Sequence, residues 1–134
     1  MPRIPDDLDL TPAETLSYAQ DLLDHGLAFN AHEVLEAAWK NRPGDERTLW
    51  QGLAQLAVGI THVQRGNIKG ARALLERAAA KLAAAGRPAP HRIDADGLVG
   101  YAAELTAELG RGHQVEARRL TPRLMLSEAD RRSS

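Results

Sequence analysis

Apolar residues recur along this chain at intervals of three and four, and β-branched runs that would signal strands are missing. The first such stretch opens at Thr11-Pro12-Ala13-Glu14. Thr11 can accept from free helix amides, Pro12 suits the first helical position, and Glu14 can close a capping box. Leu16, Ala19, Leu22 and Leu23 share a face, and Gly26 fits the left-handed residue that ends a helix. A second helix is expected from a cap at Asn30, with Glu33 three residues on and Phe29 and Val34 spaced as a hydrophobic staple, as far as Lys40. After the turn Asn41-Arg42-Pro43-Gly44, Asp45 is expected to cap a third helix reaching Arg65, with Leu49, Leu53, Leu56, Ile60 and Val63 facing the core. Gly66 and Asn67 then end one helix and cap the next, whose stripe is Ile68, Ala71, Leu74, Leu75, Ala78 and Leu82.

Residues 86–90 (Gly-Arg-Pro-Ala-Pro) read as the clearest linker. A fifth helix is expected from Asp94 or Asp96, with Leu98, Ala102, Leu105 and Leu109 inside and an end at Gly110-Arg111-Gly112. A short helix over 114–119 follows, and the apolar stretch 120–126 should return to the bundle in an extended form. Short loops between the second, third and fourth helices make them antiparallel neighbours. The expectation is an all-α, compact array of about five main helices with central antiparallel hairpins, a single helical domain over 1–134. Its core spans 12–109, and residues 1–9 and 127–134 are expected to be mobile.

The length, 134 residues, suffices for a core that buries about two-thirds of the unfolded surface. No cysteine is present, which removes disulfides and thiolate metal sites and fits a cytoplasmic protein. No secretory h-region opens the chain and no apolar run is long enough to span a membrane. A net charge of -1 argues against a nucleic-acid binder, and Arg118, Arg119 and Arg123 lack the interleaved aromatics of a single-strand site.

The informative stretch is 29–39, Phe-Asn-Ala-His-Glu-Val-Leu-Glu-Ala-Ala-Trp. At 100° per residue, Ala31, Val34, Leu35, Ala38 and Trp39 form its apolar arc, and His32 stands at the border. His32 and Glu36, four apart, can touch. On the third helix, Gln51, Gln55, Val58 and His62 form a polar stripe, and Gly52 and Gly59 suggest close approach of another helix or a ligand. A hairpin at 42–44 sets Glu36 level with Gln51 and His32 level with Gln55. A polar cluster walled by Trp39 is therefore expected between the second and third helices.

The string Phe-x-x-His-Glu-x-x-Glu-x-x-Trp, followed by Gln51-Gly52-Leu53-Ala54-Gln55-Leu56-Ala57, His62 and Gly70-Ala71, resembles the signature of a bacterial family known as domain of unknown function 309. The resemblance implies an all-helical fold and no particular activity. It singles out His32, Glu33, Glu36, Trp39, Gln55 and His62.

Two readings follow. In the first, the pocket binds a small polar ligand or a metal ion, with His32 and Glu36 as a catalytic acid–base pair and Glu33, Trp39, Gln51, Gln55 and His62 as binding residues. His32, Glu36 and His62 are the metal candidates. A divalent ion is not favoured, because the zincin pattern fails at Glu36 and only one helix carries anything like the di-iron motif. No cofactor is assigned. In the second reading the protein is a helical adaptor for a protein partner, since residues 55–78 also resemble one tetratricopeptide unit, although such arrays need about three. A homodimer through an exposed helix face is left open. Purely structural roles stand beside both readings: Glu33 as a capping-box acceptor, Glu36 and Lys40 as a surface pair, Trp39 and Trp50 as packing, and His25, His91 and His113 as solvated or capping groups at helix ends and in the linker.

Overall fold

The computed structural model describes residues 10–40 and 42–127. The expected mobility of 1–9 and of 127–134 (Ser127 aside), and the place of Asn41 in the second turn, fall outside those residues. Five α-helices follow one another: α1 (Pro12–Asp24), α2 (Ala28–Trp39), α3 (Gly44–Gln64), α4 (Ile68–Ala84) and α5 (Ala95–Gly110). Short 3₁₀ turns occupy Pro90–Arg92 and Ala117–Leu120, the latter standing where a short helix over 114–119 is expected. The protein is all-α, and no helix among the described residues is long and apolar enough to cross a membrane.

The capping box of α1 forms as its sequence predicts: the Glu14 amide donates to Thr11 Oγ1 at 3.1 Å and the Thr11 amide to Glu14 Oε1 at 2.9 Å. Three helices end in the same way. After α1, the Leu27 amide reaches back to Leu22 O at 2.8 Å and the Gly26 amide to Leu23 O at 3.0 Å, with Gly26 at φ +76°. The same pair of bonds closes α3 around Gly66 and α5 around Gly112. These are Schellman turns. The turn after α1 corrects the expected start of α2. Leu27, the residue that completes the turn, also serves as the N-cap, so the helix begins at Ala28. Asn30 lies inside it, and Glu33 closes no capping box. Likewise α3 starts at Gly44 behind Pro43, which places Asp45 and Glu46 in its first turn, where carboxylates favour the helix dipole. Asn67 and Asp94 do cap, accepting from the amides of Gly70 (3.1 Å) and Gly97 (3.0 Å).

α3 is the central helix, packed on α2 along one side and most extensively on α4 along the other, while α1 joins through α2 and α5 through α4. Leu49, Trp50, Leu53, Leu56 and Ile60 of α3 are fully buried, and the core continues through Leu16, Leu35, Leu75, Leu98 and Leu105. Ile68, expected on the core stripe of α4, is 40 % exposed, because the first turn of α4 projects beyond the core. Gly52 and Gly59 mark the α3–α4 contact: a Cβ on Gly59 would stand 2.9 Å from Leu75 Cδ2.

The 120–126 stretch returns as expected. Leu120 and Leu124 are buried, and Gln20 of α1 clamps the strand by donating to Pro122 O and accepting from the Leu124 amide, each at 2.9 Å. Its far end pairs with 92–94, Asp94 N donating to Leu124 O and Leu126 N to Arg92 O.

Candidate functional site on helix α2

α2 buries Ala28, Ala31, Val34 and Leu35. That rotation leaves Phe29, His32, Glu33 and Glu36 on the outer face. Phe29 is 45 % exposed, and its ring centroid lies 5.6 Å from that of His32, tilted by 43°. The Arg65 guanidinium, from the end of α3, sits 5.4 Å above the Phe29 ring, a cation–π contact joining the two helices. Beside them, Gln64 Nε2 donates to Gly26 O at 3.1 Å.

His32 Nε2 lies 2.6 Å from Glu36 Oε2, an ion-pair contact across one helical turn. The other oxygen of Glu36 lies 3.9 Å from Lys40 Nζ. The Glu33 side chain makes no hydrogen bond or ion pair with the described residues. In front of these side chains lies a depression of about 210 Å³ lined by Phe29, His32, Glu33, Glu36 and Ala37 of α2 and by Lys40, which caps its C-terminus.

Of the expected site residues, His32, Glu33 and Glu36 line this depression. Gln51, Gln55 and His62 do not line the depression. They stand half-buried on the stripe of α3 that turns away from its leucines. His62 is engaged at the helix end, its Nδ1 3.1 Å from Asn67 Nδ2. Trp39 is half-buried and packs on the core. His32, Glu36 and His62 form no common site: among the described residues no three His, Asp or Glu side chains are grouped so as to hold a metal ion. Two atoms do keep the expected relation between the helices alive. His32 Nδ1 and Gln55 Oε1 are both buried without a hydrogen-bond partner, and the hairpin register sets these residues level.

A second polar cluster has no counterpart among the expected site residues. His91 Nε2 donates to Glu46 Oε1 at 2.9 Å, Trp50 Nε1 donates to the same oxygen at 3.2 Å, and the Trp50 and His91 rings lie 6.0 Å apart. His91 is thus more than a solvated linker residue. Burial pushes the Glu46 carboxyl up, but hydrogen bonds from His91 and Trp50 and the charges of His91 and Arg42 together bring it below its ordinary 4.5. His91 and Arg92 hold φ of +59° and +58°, left-handed values that strain residues with a Cβ. Beside the cluster is a depression of about 420 Å³ walled by Asp45, Glu46, Leu49, Arg87, Pro88 and Pro90. Nothing local announces this arrangement, since Glu46 and His91 are 45 residues apart.

An all-helical array with its polar signature carried on α2 and α3 defines the class of protein: a small helical domain whose identifying residues face outward from a leucine core. Residues 16–74, from within α1 to the middle of α4, match the family described as domain of unknown function (DUF309). The uncharacterized protein YpuF of Bacillus subtilis (strain 168) is 44 % identical over 48 residues. That similarity covers 35 % of this chain and 28 % of the relative. No solved structure matches the chain.

Proposed function

We propose that the protein is a cytoplasmic recognition module whose α2 face receives a cationic group presented by a protein partner. The observation that carries this reading is the α2 depression itself. Two carboxylates, Glu33 and Glu36, line it with one lysine, Glu33 has no partner among the described residues, and Phe29 stands exposed beside them with Arg65 over its ring. Charge of that sign repels the phosphates of a nucleic acid and attracts an ammonium or guanidinium. The size points the same way. An opening of about 210 Å³ walled by a single helix is smaller than the roughly 300–1,000 Å³ clefts that enclose small molecules, yet it admits one side chain of a partner. Phe29 supplies the aromatic anchor that protein interfaces favour. The 2.6 Å His32–Glu36 contact also favours the acid–base reading, in which the pair exchanges a proton with a small polar substrate. The open, one-helix geometry makes recognition the preferred function.

The test is an NMR titration of the chain with two short peptides, one carrying lysine and arginine around a leucine and the other carrying glutamate at the same positions. The cationic peptide should move the signals of Phe29, His32, Glu33 and Glu36, weakening with salt, and Glu33→Gln with Phe29→Ala should remove the effect. His32→Ala should weaken it while leaving the unfolding midpoint nearly unchanged. Shifts caused by the anionic peptide, or mapping to Asp45 and Glu46 instead, overturn the proposal.

A further inference from the structure

We infer that the cation received on this face is a guanidinium, an arginine side chain of the partner, in preference to an ammonium; this rests on the reading just given. The groups left unsatisfied around the site are acceptors. His32 Nε2 faces Glu36 Oε2 at 2.6 Å; with the ring proton on that nitrogen Nδ1 offers a lone pair, and that atom is buried with no partner among the described residues. Gln55 Oε1, on the adjacent helix, is buried with no donor either. The Glu33 carboxylate has no partner among the described residues, and Glu36 Oε1 has Lys40 at 3.9 Å, beyond hydrogen-bond reach.

A site short of donors is complemented by a group that brings many donors and no acceptor. The guanidinium brings five N–H bonds in a planar fork, and the ammonium three from a single point. The fork can engage Glu33 and Glu36 together, with further N–H bonds directed inward. This chain already shows that the Phe29 ring takes a guanidinium over its face, since Arg65 sits there at 5.4 Å.

The experiment uses three small probes on the full chain at pH 8. They are N-acetyl-arginine methylamide, its lysine counterpart and its citrulline counterpart, which keeps the planar shape and loses the charge. The arginine probe should shift Glu33, Glu36 and the Gln55 side-chain amide at concentrations about three- to tenfold below those needed with lysine, and citrulline should shift none of them. A lysine probe that matches arginine overturns the guanidinium inference and leaves the cation reading standing. Equal response to citrulline, or no response to either cation, overturns both. Gln55→Leu, which keeps the side-chain bulk, should narrow the arginine advantage and leave lysine unaffected. A folded Gln55→Leu variant that keeps the full advantage removes Gln55 from the site.

Discussion

Replacing Gly59 and Gly100 by alanine, one at a time, should move stability in opposite directions, although both lie inside helices. Alanine relieves the backbone entropy that glycine loses in a helix, about 1 kcal/mol in either place. Gly100, in α5, is exposed, and nothing lies within 4 Å of where its Cβ would stand. Gly100→Ala should therefore gain close to the full amount. Gly59 faces α4 at the closest approach of the two helices, and an added Cβ would meet Leu75 Cδ2 at 2.9 Å and Cγ at 3.0 Å. Leu75 is fully buried, so it yields only by disturbing the core. Overpacking of that kind costs about 1–3 kcal/mol, which leaves Gly59→Ala between neutral and about 2 kcal/mol destabilised.

The two variants should then differ by about 1–3 kcal/mol, or about 4–12 °C in Tm for a domain of this size. Thermal and urea unfolding followed by circular dichroism reads the difference directly. The cause is isolated by repeating Gly59→Ala in a Leu75→Ala background, where the obstruction is gone and the substitution should become stabilising. If Gly59→Ala stabilises as much as Gly100→Ala, the helices are farther apart than described. If it stays destabilising after Leu75 is truncated, Leu75 is not what resists it.

The caps give a second contrast: Asp94→Ala should cost about 1 kcal/mol, because Asp94 Oδ1 accepts from the Gly97 amide at 3.0 Å, while Asn30→Ala, inside α2, should be within about 0.5 kcal/mol of neutral in the same urea unfolding assay. Glu46 gives a pH dependence. Its folded pKa lies below the ordinary 4.5, so its contribution is present above that value and lost as pH falls through the folded pKa. The Tm gap between the native chain and Glu46→Gln should therefore narrow below about pH 4.5, and a gap constant from pH 6 to pH 3 would contradict the His91–Glu46–Trp50 linkage.

The parts of the fold legible in the sequence are those decided within a few residues. Thr11 with Glu14, the glycines at 26, 66 and 112, and the caps at Asn67 and Asp94 each act on backbone groups at most five positions away. Asn30 misleads because two local rules compete for the same stretch. A Schellman turn delivers Leu27 already placed to start a helix, so no residues remain for a separate cap at Asn30. The His91 cluster was illegible for the opposite reason. It depends on a left-handed turn formed by residues that carry a Cβ, held in place by contacts to α3 and to the returning strand. No spacing rule encodes that combination.

The site on α2 shows the same division. The His32–Glu36 contact follows from their spacing and forms at 2.6 Å. Whether Gln55 and His62 join it depends on how far α2 and α3 rotate about their axes, and the packing of the whole core sets that rotation. Leu49, Leu53, Leu56 and Ile60 turn α3 inward, while α2 and α4 occupy its flanks. What remains outward is the stripe Gln51, Gln55, Val58 and His62, none of which is fully covered. α3 keeps Gln55 Oε1 buried, and α2 keeps His32 Nδ1 buried, each without a hydrogen-bond partner among the described residues. Buried acceptors of that kind weigh against stability. In the proposed reading, a donor arriving from another molecule offsets that cost.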